Sequence, residues 1–172
     1  MIATLAGGTW TALTAPEAGL DPPPAANPLT LLKGVSCAKP GMCAVVGDYV
    51  NTSDREAGLT ETLNDGTWTP AAVPGPADGL FSVACPASGS CVAVGDGFFA
   101  ALSGGSWESG APPPNPSANP TQPPYAQSIN SGGIACPTAS SCVAVGYYED
   151  TAGAFHGLIE RQETVTTSPT TR

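Results

Sequence analysis

Six cysteines form three pairs with the same spacing, and each pair lies in the same local sequence frame. Five residues separate the cysteines of a pair, and an alternating apolar stretch that ends in glycine follows the second one. The three frames are 35–47, 83–95 and 134–146, and their first cysteines stand 48 and 51 residues apart. Because self-similarity at a nearly fixed period indicates a repeat architecture, this feature constrains the fold more than any other.

A second element also occurs three times, with the pattern Leu-x-x-Gly-Thr/Ser-Trp. The copies are 5–10, 63–68 and 102–107, and each carries a Gly-Gly or Asp-Gly dipeptide before its tryptophan. Such dipeptides favour two-residue hairpin turns because they tolerate positive φ. Short β-prone stretches flank every turn, so each copy is predicted to be a β-hairpin.

The two kinds of hairpin alternate along the chain. One cysteine hairpin (strands A and B) and one tryptophan hairpin (strands C and D) make a four-stranded unit of about 50 residues, which is typical of one β-propeller blade. The strand order is C-D, A-B-C-D, A-B-C-D and A-B-C. We therefore predict an all-β fold: a β-propeller-like array of four-stranded antiparallel blades, with about three blades present as a partial propeller.

The repeats divide the chain into five predicted segments. These are 1–28 (strands C and D of a first partial blade, with a Pro-rich connection), 29–79 (the blade with Cys37 and Cys43), 80–128 (the blade with Cys85 and Cys91, with a Pro-rich insert at 111–124), 129–163 (a partial blade with Cys136 and Cys142) and 164–172 (a Thr/Pro-rich tail). Closed propellers contain at least four blades. Three interpretations stay open: a fragment of a larger propeller, copies that assemble into a closed ring, or a partial array. The chain begins inside a repeat without a signal-peptide pattern, which favours a missing upstream part.

The cysteine spacing allows three kinds of chemistry: a disulfide across each hairpin end, buried thiols, or a metal site. Zinc sites usually show two to four residues between paired cysteines, and here the number is five in every copy. A five-residue loop can place both cysteines opposite each other, so the spacing favours disulfides. Three disulfides predict an oxidising compartment, and hence a secreted or cell-surface protein.

The cysteine frame, with its Cys-x₅-Cys-Val-Ala-Val-Gly core, resembles the blades of repeat propellers that are common in secreted actinobacterial proteins. The tryptophan hairpin, best represented by 62–68, resembles a degenerate Asp-box of sialidase-type and photosystem-assembly-type propellers. The resemblance covers about residues 1–160. It implies that the hairpin is structural, so Trp10, Trp68 and Trp107 are expected to pack within and between blades. The alternative is that they form an exposed platform on which sugars stack.

The charge balance excludes one class of partner and disfavours another. The chain has only five basic residues and a net charge of −9, so it lacks the basic footprint that nucleic-acid binding needs. The same balance favours a cationic or neutral partner over an anionic polymer. No apolar run is long enough to predict a transmembrane helix, and no motif predicts a cofactor.

Residues that carry chemistry are few, and the pattern predicts no catalytic site. His156 is the single histidine, and it has no nucleophile motif beside it. Glu149 and Asp150 follow two tyrosines, 147 and 148, but neighbouring strand residues point to opposite faces and do not face one substrate. Asp48 and Asp96 stand at predicted strand ends. Two roles stay open for them: hydrogen bonding within a turn, or a Ca²⁺ site that also uses loop carbonyls.

Two further motifs carry little functional weight. The three arginines of a sialidase bind its substrate carboxylate, but here Arg55, Arg161 and Arg172 are scattered along the chain. The sequence 51–53 fits a glycosylation sequon, which is a common chance match.

From the sequence we therefore expect a non-catalytic extracellular module that binds a glycan, a cell-wall polymer or a protein, with its binding surface on the inter-blade and B–C loops. The alternative is a fragment of a glycoside hydrolase or sialidase-like propeller whose catalytic residues lie outside this chain. The fold alone does not decide between them.

Overall fold

The computed structural model of the protein describes residues 1–73, 79–95, 97–110, 130–150 and 152–163. Within these ranges the regular secondary structure is β-strand, and no helix long and apolar enough to cross a membrane occurs in them. This part of the chain is therefore all-β, as predicted. The insert 111–124, the tail 164–172 and Asp96 lie outside the described residues.

The described residues form thirteen strands: β1 (Ile2–Ala6), β2 (Thr9–Leu13), β3 (Leu31–Lys39), β4 (Met42–Val50), β5 (Glu56–Asn64), β6 (Thr67–Ala72), β7 (Leu80–Ala87), β8 (Ser90–Gly95), β9 (Phe99–Ser103), β10 (Ser106–Gly110), β11 (Asn130–Thr138), β12 (Ser141–Glu149) and β13 (Phe155–Glu163).

These strands build four antiparallel sheets, each from strands that follow one another in sequence. Sheet I contains β1 and β2, sheet II β3 to β6, sheet III β7 to β10, and sheet IV β11 to β13. In sheets II and III a cysteine hairpin and the following tryptophan hairpin join into one four-stranded meander. The predicted four-stranded antiparallel unit is therefore confirmed in both sheets.

Turn chemistry explains why the tryptophan hairpins close where they do. Asp65 and Gly66 both adopt positive φ, at 48° and 86°, between β5 and β6. This is the conformation of a two-residue hairpin turn that matches the twist of its strands. The turn sets the register that places Leu63 opposite Trp68.

The glycine that ends each cysteine frame has a steric role in sheet II. A register shift in β3 brings the carbonyl of Leu31 directly over Gly47 in the neighbouring strand β4. A Cβ atom at Gly47 would lie 1.8 Å from that carbonyl oxygen, so a side chain does not fit. Close approach of two backbones is a common reason for glycine inside a strand.

All three cysteine pairs form disulfides, as predicted. The bonds join Cys37 to Cys43, Cys85 to Cys91 and Cys136 to Cys142. Each bond connects the first two strands of sheet II, III or IV beside their tight turn. In sheet II the two cysteines are direct partners in the strand register.

Sheets II, III and IV lie against one another in sequence order, and residues 1–3, at the start of sheet I, line a depression with β3 and Val45 of sheet II. Each sheet has two distinct faces because strand side chains alternate. We call the face turned to the next sheet the forward face and the opposite one the backward face. In sheet II the forward face carries Ala44, Val46 and Thr60, and the backward face carries Tyr49 and Leu59. The main hydrophobic core lies between the forward face of sheet II and the backward face of sheet III.

The first strands of sheets II, III and IV lie next to one another. Two hydroxyl groups bridge them: Ser36 Oγ accepts a hydrogen bond from the Cys85 amide at 3.0 Å, and Ser82 Oγ accepts one from the Ile134 amide at 3.3 Å. The sheets therefore contact each other through strand A as well as through their faces.

Residues 14–30 cross the backward face of sheet II and cover it. Leu20 packs on Tyr49 and Leu59, and the Tyr49 hydroxyl donates to the Pro22 carbonyl at 2.6 Å. Burial raises the pKa of Tyr49, and the nearby Asp21 adds to the effect. This connection thus supplies a second, smaller core.

Candidate functional site

The end of sheet IV that carries the β12–β13 loop concentrates exposed aromatic and ionisable side chains. We call Tyr147, Tyr148, Asp150, Phe155 and His156 the loop-end cluster. These residues end β12, form the loop and begin β13. The cluster belongs to a B–C loop, which is where the sequence predicted a binding surface.

Asp150 organises this loop by accepting hydrogen bonds from three groups. Its Oδ1 accepts from the amides of Ala152 at 2.8 Å and Ala154 at 2.9 Å, and its Oδ2 lies 2.8 Å from His156 Nε2. The Ala154 amide, followed by the His156 ring and the Ala152 amide, lowers the pKa of Asp150. The carboxylate therefore stays charged and holds the His156 ring in one position.

The rings of the cluster divide between the two faces of the sheet. Tyr147 meets Phe155 edge to face, with centroids 5.6 Å apart, on the forward face. Tyr148 stacks on His156, with centroids 5.2 Å apart, on the backward face. Register pairing of Tyr148 with His156 agrees with the expectation that neighbouring residues point to opposite sides. Tyr147, Phe155, His156 and Gly157 line an open depression at the edge strand.

The equivalent loop of sheet II joins β4 to β5, and its first side chain stabilises the turn instead of contributing to a surface cluster. Asn51 occupies the place of Asp150, and its Oδ1 accepts from the amides of Ser53 at 2.8 Å and Arg55 at 3.3 Å. The residue is 7% exposed. Its side chain is thus committed to the turn, which opposes glycosylation at the sequon 51–53.

His156 has a carboxylate partner, yet the pair lacks the third member of a catalytic triad. In the described part of the chain the hydrogen-bond partner of His156 is Asp150. Both side chains are partly exposed, and a triad needs a hydroxyl or thiol within hydrogen-bond reach of the base. The geometry is that of an ordered surface pair.

Sequence reasoning missed a buried carboxylate in sheet II. Glu61 lies on the backward face between Val45 and Pro70, and it has no exposed surface. Neither of its carboxyl oxygens has a hydrogen-bond partner. Burial, followed by the negative charge of Glu17, raises the pKa of Glu61 to about 7. Thr30 Oγ1 donates to that Glu17 at 2.6 Å and fixes it above the sheet.

The repeat pattern contained a sequence indication that Glu61 occupies a special position. The stretch 58–61 matches 157–160, so Glu61 and Glu160 are equivalent residues on strand C. Burial also raises the pKa of Glu160. Two acidic residues at one inward-facing repeat position were the available hint, but only packing shows that one of them is completely covered.

Asp48 has an ionic partner where the sequence left a choice between a turn and a Ca²⁺ site. Its carboxylate pairs with the Lys33 ammonium group, which also lies 4.5 Å from the centre of the Phe81 ring. Among the described residues no group of three or more potential metal ligands converges. The observed role of Asp48 is therefore an ion pair at the junction of sheets II and III.

The three tryptophans differ in their surroundings. Trp107 is 7% exposed and belongs to the main core, Trp68 is half-buried, and Trp10 is 67% exposed on sheet I. Among the arginines, Arg55 lies in the β4–β5 loop and Arg161 in β13, on separate sheets, and Arg172 lies outside the described residues.

Comparisons with protein-family models and with functionally characterised proteins found no match to this chain.

Proposed function

We propose that this chain is a non-catalytic extracellular binding module of the β-propeller type, related to the repeat propellers of secreted actinobacterial proteins. Two four-stranded meanders that stack in sequence order, with their first strands side by side, support the propeller assignment. Three disulfides support an oxidising environment, since such bonds are typical of extracellular proteins.

The observation that carries the binding role is the loop-end cluster. Phe155 is 67% exposed and Tyr147 40% exposed, side by side and next to an open depression. Exposed aromatic groups on a rigid scaffold are characteristic of ligand-contacting surfaces, because they offer large apolar area at little entropic loss. Asp150 and His156 add polar groups in fixed positions. The ligand class that fits this combination is a neutral glycan.

Charge supports the same ligand class. The chain carries a net charge of −9, which repels polyanions, and the ordered Asp150 carboxylate adds local negative charge at the site. Neutral sugars present apolar ring faces for Tyr147 and Phe155 and hydroxyl groups for His156, which lines the same depression at the edge strand.

The test is calorimetric titration with neutral hexasaccharides of glucose and of N-acetylglucosamine, with polygalacturonate as the anionic comparison. We expect binding to a neutral oligosaccharide that weakens more than about tenfold in Phe155→Ala. Leu29→Ala is the matched control because Leu29 is a 62% exposed apolar residue outside both outer sheet faces. Equal loss in both variants, or no binding to any neutral sugar, would contradict a glycan site at the loop-end cluster.

The pair formed by Glu61 and Glu17 bears on the alternative of a glycoside hydrolase. A carboxylic acid with a raised pKa beside a second carboxylate is the electrostatic arrangement of such enzymes. Glu61, however, has no exposed surface and lies under residues 14–30. A substrate does not reach it, so the pair supports the non-catalytic proposal.

A further inference from the structure

The outer faces of the first and last described sheets carry equivalents of residues that pack together between sheets II and III. Between sheets II and III, Leu102 and Trp107 pack from the backward face of sheet III. They meet a forward face on which Val46 and Thr60 are completely buried. Trp107 Nε1 also donates to Thr62 Oγ1 at 3.3 Å.

Sheet I carries the first half of this interface without a cover. Leu5 and Trp10 pair in the same register as Leu102 and Trp107. Leu5 is 53% exposed and Trp10 67% exposed, whereas the equivalent residues of sheet III are nearly inaccessible. The backward face of sheet I therefore presents a leucine–tryptophan pair that the chain itself leaves in solvent.

Sheet IV carries the second half. Val145 precedes the frame glycine as Val46 does, and its register partner Ile159 corresponds to Thr60, the partner of Val46. Val145 is 48% exposed and Ile159 77% exposed. An isoleucine at the position of a buried threonine makes this exposed forward face more apolar than its internal counterpart.

The loop-end cluster borders this surface, and one member lies within it: Tyr147 corresponds to Asp48 in sheet II, which is only 4% exposed. Phe155 corresponds to Glu56 in sheet II, and Glu56 remains exposed although the forward face of sheet II is covered. A sheet stacked on Val145 and Ile159 therefore leaves Phe155 accessible. Association therefore covers the Tyr147 part of the proposed glycan site and leaves the Phe155 part open.

We propose that the forward face of sheet IV binds the backward face of sheet I of a second copy of this chain, head to tail. The partner surface proposed for Val145 and Ile159 is present in the chain and is exposed. It repeats the strand C and D part of the packing between sheets II and III, where β7 and β8 add further residues. Such a heterologous contact closes into a ring or continues as a chain of copies.

The experiment is sedimentation velocity on the oxidised chain from about 1 to about 200 µM. We expect species of at least twice 17.1 kDa, whose population rises with concentration. Trp10→Asp and Ile159→Glu, each made alone, should weaken association more than about tenfold. Leu29→Glu is the matched control, because Leu29 is a 62% exposed leucine outside both outer sheet faces. Far-UV circular dichroism verifies that each variant is folded.

A mixture of the two variants tests the head-to-tail geometry. Trp10→Asp retains an intact sheet IV face and Ile159→Glu retains an intact sheet I face, so mixing should restore a one-to-one dimer. A native chain that stays monomeric at the highest concentration would overturn the proposal. So would association that survives in either variant alone, or a mixture that forms no dimer.

Discussion

The indole Nε1 of Trp107 donates a hydrogen bond to Thr62 Oγ1 across the junction between sheets III and II, at 3.3 Å. The tryptophan is nearly inaccessible, and it anchors the main core to the sheet that precedes it in sequence. Trp10, its repeat equivalent on the first described sheet, is 67% exposed. The same tryptophan hairpin motif thus contributes a buried side chain in sheet III and an exposed one in sheet I.

This contrast predicts unequal effects of the same substitution. Trp107→Ala should lower the free energy of unfolding by about 3–5 kcal/mol, because it removes a large buried side chain and leaves a cavity. Trp10→Ala should lower it by less than about 1 kcal/mol. Thr62→Ala should remove only the hydrogen bond, roughly 1 kcal/mol. Denaturant unfolding of the oxidised chain at low concentration measures all three. Similar losses at both tryptophans would contradict the packing described here.

Glu61 predicts a pH dependence of stability. The pKa of its carboxyl group is raised to about 7 in the folded chain, above the ordinary value of 4.5. The folded state therefore binds the proton more tightly, and the stabilisation is complete below about pH 4.5 and lost as pH rises through about 7. The change amounts to roughly 3 kcal/mol.

Glu61→Gln is the variant that tests this linkage. It should remove this fall in stability between pH 4.5 and pH 7, because the amide does not titrate. Glu17→Gln should reduce the fall, since removing that negative charge lowers the pKa of Glu61. Glu108→Gln, at an exposed position, should leave the pH profile unchanged. An identical profile in native protein and Glu61→Gln would show that Glu61 does not carry the effect.

The ion pair of Lys33 and Asp48 predicts non-additive effects. Lys33→Met leaves the Asp48 carboxylate, whose side chain is only 5% exposed, without a cation. We expect a loss of roughly 2–3 kcal/mol, below the 3–5 typical of a fully buried pair, because 29% of the Lys33 side chain is exposed. Adding Asp48→Asn should recover part of the loss. Lys39→Met, at an exposed position, is the control. Additive losses in the double variant would indicate no coupling.

The structure predicts that replacing two of the disulfides lowers stability by different amounts, and that the difference comes from their burial alone. The two bonds Cys37–Cys43 and Cys85–Cys91 close loops of the same sequence separation, 6. Each should contribute about 2 kcal/mol by restricting the unfolded chain. Replacing both cysteines with serine should cost more at Cys85 and Cys91, because that pair packs into the main core and a buried hydroxyl lacks a partner there. Urea unfolding of the two double variants gives the difference, and the reverse order would contradict it.

Much of the architecture was predictable because it depends on local chemistry. The Asp65-Gly66 dipeptide fixes a hairpin turn by its backbone preference, and that turn alone determines which residue faces Trp68. Disulfide pairing followed from loops too short to place the two cysteines far apart. The role of Gly47 was less visible, because the carbonyl that excludes a side chain there comes from the neighbouring strand.

Of the loop-end cluster, the sequence predicted only the kind of loop that carries it. It placed a binding surface on the inter-blade and B–C loops, and the β12–β13 loop is one of these; its binding role stays a prediction. The ring pairing of Tyr148 with His156 and the triple hydrogen bonding of Asp150 depend on strand register and loop conformation. The equivalent β4–β5 loop, which begins with Asn51, carries no such cluster. The loop type therefore does not determine which side chains are exposed beside it.

The sequence by itself determined the all-β class, the hairpins and the cysteine partners, because turn residues and short loops act over a few neighbouring positions. Only the tertiary structure decided that Glu61 is sealed beneath residues 14–30, that Asp48 pairs with Lys33, and that Trp107 is buried while Trp10 is exposed. Burial depends on which sheet lies against which face. Residues at equivalent repeat positions therefore acquire different burial, partners and energies from their place in the stack.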